Sequence, residues 1–282
     1  MLRRPILLSV AIATGFFCAG VGAAEENSTV ITAAGAHFSW VVFDGQKQAL
    51  EKHIGRPIKL FGREQMLGAG CNAGIKTALS NRPGHETFGL VCCPLDAREI
   101  AAKHLRIYPI AEEPILILVN ADNPVNDLSV QQVRDLFAGK IKNWKQVGGN
   151  DEPVVVFMRP HCEHRPGHWK TILPELKLFS KDRVKVQSAV DMVQRVSDFT
   201  GGIGHTGSAW MFDAKSRVKS VSVSGIKPTA LNLKNRRYPF YRTLSAVTNE
   251  QPSKQVISLI EYARTSKEFR QIAQQYQLQP LK

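Results

Sequence analysis

After residue 21 the sequence has no long apolar run, no internal repeat, no low-complexity segment and no Cys-x-x-Cys pair. Without a run of ~20 apolar residues, no later segment is expected to cross a bilayer as a helix. The lack of a repeat argues against solenoids and propellers. Acidic residues are short, 24 against 37 Lys and Arg, which leaves a net charge of +13. Such a balance favours an anionic partner or ligand. The basic residues are nevertheless scattered, as in Lys140-Ile141-Lys142 and Arg236-Arg237, with no basic helical stripe that would suit nucleic acid. Cysteine is scarce, with five in 282 residues, and its spacing fits neither a zinc finger nor a thioredoxin-like redox motif. There is no His-Glu-x-x-His pattern either.

What is present begins with a leader. Arg3 and Arg4 precede an apolar stretch from Ile6 to Val21, and Gly22-Ala23-Ala24 supplies small residues before Glu25. This predicts a secretory signal peptide over 1–24, cleaved at Ala24-Glu25, and a periplasmic mature protein. Cys18 follows Phe16 and Phe17, which is a poor lipidation context, and leaves with the leader. Four cysteines then remain: Cys71, Cys92, Cys93 and Cys162. In an oxidising compartment an even number favours disulfides, for example Cys71 with Cys92 or Cys93 and Cys162 with the other.

The rest alternates between strand and helix patterns. Helices are expected over Gln46–Ile54, Ala73–Leu79, Ala189–Val196 and about Lys267–Tyr276, with another capped by Ser253. Ser129 and Gln132 form a capping box, with Gly139 past the end of the helix they start. Apolar runs at Glu113–Asn120 and Val154–Met158 read as buried strands, and Val184–Val186 as a short one. Gly201 to His205 reads as a strand-to-loop turn, and Pro166-Gly167 as a helix start beside His164. The expected class is α/β with mostly parallel sheets, in which ligands sit at the carboxyl ends of strands.

One long pattern is more specific. Asn120-x-x-Asn123-Pro124-Val125, then Leu128 to Gly139, then Lys140-Ile141-Lys142-Asn143-Trp144 to Gly149 resembles the PstS-like periplasmic phosphate-binding family. The resemblance continues at Phe88–Leu95, at Gly202–Gly207 and at Tyr238-Pro239-Phe240-x-Arg242. It implies a two-lobed periplasmic binding protein fold of type II, a mixed, mostly parallel sheet in each lobe, and a ligand cleft between them. The lobes would span 25–115 with 215–282, and 116–214. It also implies a monomeric solute receptor rather than an enzyme, delivering to an ABC permease or signalling through a membrane sensor.

The ligand loops depart from the family. His37 stands where Ser or Thr is common, after the small-residue turn Thr32–Ala36. A Gly-Ser-Gly-Ser-Gly loop becomes Gly70-Cys71-Asn72-Ala73-Gly74, and a polar Ser-Asp-Arg-Pro-Leu becomes Val91-Cys92-Cys93-Pro94-Leu95. Arg159 is kept, but His161, Cys162, His164 and Arg165 replace the phosphate-cradling residues after it, and His205 stands in place of a Tyr. With Ser39 and Thr206 these residues form the candidate ligand set. Two chemistries fit. A phosphate-like oxyanion would use Arg159, Arg165, hydroxyls and helix N-termini. A thiophilic ion such as zinc, copper or trivalent arsenic would use Cys71, Cys92 and Cys162 with His164 and His205. A thiol enzyme using Cys162 with His161 or His164 is the remaining alternative, although no orienting third residue accompanies the pair.

Overall fold

The fold is taken from a computed structural model that describes residues 30–61, 70–163, 165, 168–210 and 216–281, without the Ser39 side chain. The leader, His164 and the Pro166-Gly167 helix start therefore lie outside the described residues. Among the described residues no helix is long and apolar enough to cross a membrane.

In chain order the first half holds β1 (Ile31–Gly35), α1 (Phe38–Val42), α2 (Lys47–Ile54), β2 (Ile58–Phe61), α3 (Gly70–Leu79), β3 (Thr87–Val91), α4 (Ala97–Ala102) and β4 (Leu105–Asn120). The second half continues with β5 (Asp127–Leu128), α5 (Val130–Phe137), β6 (Val155–Met158), β7 (Val184–Lys185), α6 (Ala189–Asp198), β8 (Gly202–Gly207), β9 (Val218–Ser220), β10 (Ser222–Val223) and α7 (Ala230–Lys234). The chain closes with β11 (Tyr241–Asn249), α8 (Lys254–Thr265), α9 (Lys267–Gln275) and β12 (Gln279–Pro280).

The main path of the sheet runs β2-β1-β3-β11-β4-β8-β6-β7. It is parallel at both ends, across β2-β1-β3 and β8-β6-β7, and antiparallel where β11, β4 and β8 meet. β4 is the hinge of this arrangement. Its first part pairs with β11 through Leu105–Pro114 and its second part with β8 through Ile115–Val119. Every residue from Ile110 to Asn120 is buried, as a strand covered on both faces requires.

Helix starts follow local chemistry. Ser129, Ser188, Thr229, Ser253 and Ser266 each accept a backbone N–H three residues on, and the Ser129–Gln132 box is complete. One core gathers residues from 31–111 and from 244–278, including Phe43, Phe88, Leu259 and Phe269. Another gathers residues between 115 and 240, including Phe137, Trp144, Trp169 and Tyr238. Buried polar tips in this second core are satisfied: Trp144 Nε1 donates to the Gly201 carbonyl at 2.9 Å and the Tyr238 hydroxyl to that of Ile115 at 2.8 Å.

Two local expectations change. Thr32 to Gly35 belong to β1 rather than to a turn, because they are pinned between β2 and β3. Gly202 to Gly207 form a strand through His205, which pairs with Ile117, so the glycines allow close packing instead of a turn. A Cβ at Gly204 would lie 2.5 Å from the Met192 sulfur.

Candidate functional site

Two glycines bring the first half of the site together. A Cβ on Gly89 in β3 would lie 1.9 Å from the Gly74 carbonyl oxygen, and one on Gly74 would lie 2.6 Å from the Leu90 oxygen. Only glycine lets α3 approach β3 so closely. That approach sets Cys71, in the first turn of α3, beside Cys92 just past β3. Their sulfurs are 3.6 Å apart, and the Cys92 amide donates to Cys71 Sγ at 3.3 Å. Cys93 follows, fully buried.

The second half comes from the loop after β6. Arg159 Nε donates to the Gln187 carbonyl at 3.1 Å, and the Trp169 indole anchors the His161 carbonyl at 2.8 Å. Cys162 is held at φ 53°, an unusual backbone conformation for a residue with a side chain. There its sulfur, with those of Cys71 and Cys93, forms a triad within 4.8 Å of one another. His161 Nδ1 lies 3.2 Å from Cys162 Sγ and 3.7 Å from Cys93 Sγ. All four described cysteines are free thiols, so the expected disulfide pairing is not what the structure holds.

Of these groups Cys71, Cys92, Arg159, His161 and Cys162 line a cavity of 230 Å³ with His37, Asn72, His205 and Thr206, while Cys93 lies behind its lining. His168, Trp210 and Arg242 line it too and were not singled out in the sequence. Arg242 did stand in the Tyr238–Arg242 stretch, but His168 and Trp210 carried no signal that separated them from core residues. The His37 ring stacks on Trp210 at 3.8 Å. His161, His168 and His205 form an edge-to-face file, with ring centroids 4.1 and 5.1 Å apart. His161 Nε2, His168 Nδ1 and both ring nitrogens of His205 are buried without a hydrogen-bond partner among the described residues.

Electrostatics divide these groups. Burial holds His37 and His161 at a pKa of about 4 and His205 at about 3, so all three imidazoles are neutral at pH 7. Hydrogen bonds from Cys71 and then Cys93 draw Cys162 down to about 4, making it the thiolate of the cluster. The hydrogen bond to Cys162, with burial, pushes Cys93 well up, so it keeps its proton. Burial lowers Arg242, and the charge of Glu113 more than reverses that.

Three candidates sit elsewhere or escape description. Arg165 turns away from the cavity to bond both carboxylate oxygens of Glu99 in α4, at 2.9 and 2.7 Å, and holds Glu99 at a pKa of about 2. His164 and the Ser39 side chain lie outside the described residues.

The arrangement places its ligand groups after β1, β3 and β6, at the first turn of α3 and on β8 and β11. Residues 22–269 match the PBP superfamily domain. The chain belongs to the PBP superfamily. Curated relatives of the chain are named as binding proteins. Its PstS-like character is borne out by curated relatives. The phosphate-binding protein PstS of Bacillus subtilis is 27% identical over 167 residues, which is 59% of this chain and 54% of that one. The match thus spans about half the length of that relative. Protein SphX of Synechococcus elongatus is 23% identical over 268 residues, 89% of this chain and 77% of that one.

Solved structures share the two-lobed α/β fold. One from Clostridium perfringens, assigned as a phosphate ABC transporter substrate-binding protein and carrying bound phosphate, superposes with a TM-score of 0.74 at 24% identity. It aligns with 90% of this PBP-superfamily chain and 100% of its own. An ABC-type phosphate transport receptor from Vibrio cholerae gives 0.65 at 20% identity, covering 89% and 100%.

Proposed function

We propose that this PBP-superfamily protein is an exported solute receptor whose cleft captures a thiophilic ion, a soft metal cation or a trivalent metalloid, in place of phosphate. The observation that carries this is the convergence of Cys71, Cys93 and Cys162 within 4.8 Å, with Cys71 and Cys162 at the cavity. Thiolates select soft ions, and an anion gains little from them. Neutral imidazoles add donors that a soft metal accepts.

The lobes in this reading divide as 25–115 with 215–282, and 116–214. The residues of the two cores favour a return to the first lobe nearer residue 241. Cys71 and Cys93 then belong to one lobe and Cys162 to a loop of the other, so a bound ion ties the two together. The leader at Arg3–Ala24 supports export, and the PstS relatives support handover to an ABC permease.

A phosphate-like oxyanion is the second reading, favoured by Arg159 and Arg242 at the cavity and by relatives that bind phosphate. Calorimetric titration of reduced protein with zinc, arsenite and phosphate separates the two. The first reading expects uptake of zinc or arsenite that Cys162→Ala weakens and Arg159→Ala leaves nearly intact. Tight phosphate binding that depends on Arg159 and survives thiol alkylation would establish the second instead.

A further inference from the structure

We infer that His161 is the fourth donor of the thiol cluster, so that the site takes a tetrahedral divalent cation of the zinc class rather than a trivalent metalloid. This rests on the thiol reading above and narrows its ligand.

The argument is geometric. A tetrahedral ion with ~2.3 Å bonds to sulfur and ~2.0 Å to nitrogen holds its donors roughly 3.5–3.8 Å apart. His161 Nδ1 stands 3.2 Å from Cys162 Sγ and 3.7 Å from Cys93 Sγ, and the three sulfurs lie within 4.8 Å of one another. Closing on an ion therefore needs movements well under the length of a side chain. A trivalent metalloid bonded to three sulfurs directs a lone pair at its fourth position, and a nitrogen donor there gains nothing. A divalent ion instead needs that donor, and three cysteines with one histidine are an established set for it.

His161 is also held for the task. Its backbone carbonyl is anchored by the Trp169 indole at 2.8 Å, and its ring packs edge-on against His168 at 4.1 Å. Among the described residues the opposite nitrogen, Nε2, has no hydrogen-bond partner, and Nδ1 is the nitrogen that faces the sulfurs. Cys92 stands apart from this set, with its sulfur 3.6 Å from that of Cys71. The positive charge of Arg242 does not oppose a cation strongly, because Glu113 pairs with it at 2.5 Å.

The test uses the reduced full chain, with Co(II) as a spectroscopic probe, Zn(II) in competition with a chromophoric chelator, and arsenite. One Co(II) per chain should show the intense visible bands of tetrahedral sulfur-rich coordination, displaced by Zn(II). His161→Ala and His161→Asn should each weaken Zn(II) by at least about tenfold, since even groups behind a ligand contribute ~10–100-fold. Both should shift the Co(II) bands and leave arsenite uptake unchanged. The Asn variant guards against a folding defect, which circular dichroism would reveal. Tetrahedral Co(II) binding that neither variant alters would overturn the role of His161 while leaving the thiol site standing. Arsenite binding without Zn(II) or Co(II) binding would overturn the cation class. Failure of all three probes to bind would overturn the thiol reading itself.

Discussion

The Glu113 carboxylate accepts a hydrogen bond from Arg242 Nε at 2.5 Å, with the acid fully buried and the guanidinium 7% exposed. Its other oxygen accepts the Ala209 amide at 2.8 Å, and Gly207 leaves room for the carboxylate, where any Cβ would collide with it. The pair joins β4 to β11 beneath the cavity, with Thr243 and Glu112 paired in the next register position. Removing one partner strands the other charge in the interior. Glu113→Ala should therefore cost about 3–5 kcal/mol, whereas Arg242→Met with Glu113→Leu should recover much of it. Urea unfolding of the single and double variants measures this. A double-variant loss equal to the sum of the two single-variant losses would show that the pair is not coupled.

A second prediction concerns the contact that sets the cluster. Gly89→Ala places a methyl group on the Gly74 carbonyl, so α3 must retreat from β3. Overpacking of this kind costs roughly 1–3 kcal/mol or more. The retreat should also separate Cys71 from Cys92, seen as slower formation of a cross-link by a short bifunctional thiol reagent. Unchanged stability and unchanged cross-linking would show that the helix accommodates the methyl without moving.

Cys162 should react as a thiolate. With a pKa of about 4 it is ionised throughout the neutral range, so its alkylation rate in reduced protein should be nearly flat from about pH 6 to 8. An unperturbed thiol would accelerate about tenfold per pH unit over that range. Cys93, protonated and buried, should stay unlabelled over the same time. Peptide mapping by mass spectrometry assigns the labels. A tenfold rise per unit at Cys162 would contradict its assignment as the thiolate of the cluster.

Stability should fall as the pH drops from about 6.5 to 4. The folded pKa values of His161 and His205, about 4 and about 3, lie below the ordinary value of 6.5. The unfolded chain therefore binds protons first. The stabilisation is fully present above about pH 6.5 and lost towards the folded values, at ~1.4 kcal/mol per pH unit for each imidazole. His205→Leu removes one such group together with two unpartnered nitrogens. It should raise the melting temperature at pH 5 more than at pH 8. An equal shift at both values would assign the effect to packing alone.

The sequence by itself determined what depends on neighbours along the chain. Ser129, Gln132 and Gly139 announced a helix and its end, because a capping box and a left-handed terminus are satisfied within one turn. The apolar run at Glu113–Asn120 announced a strand buried on both faces, and the long pattern through Trp144 to Gly149 announced the family. His205 was misplaced because glycines flanking it read locally as a turn, whereas the neighbouring strands β4 and β6 decide that segment.

Only the tertiary structure decided which thiols meet. Cys71, Cys93 and Cys162 converge because Gly74 and Gly89 seat α3 on β3, and because the sheet order carries the loop after β6 across to them. The same packing turned Arg165 outward to Glu99 and brought His168 and Arg242 inward. The physical reason is range. Caps and strand patterns are written in contacts a few residues apart, whereas a ligand cluster is written in contacts between distant segments that no local pattern records.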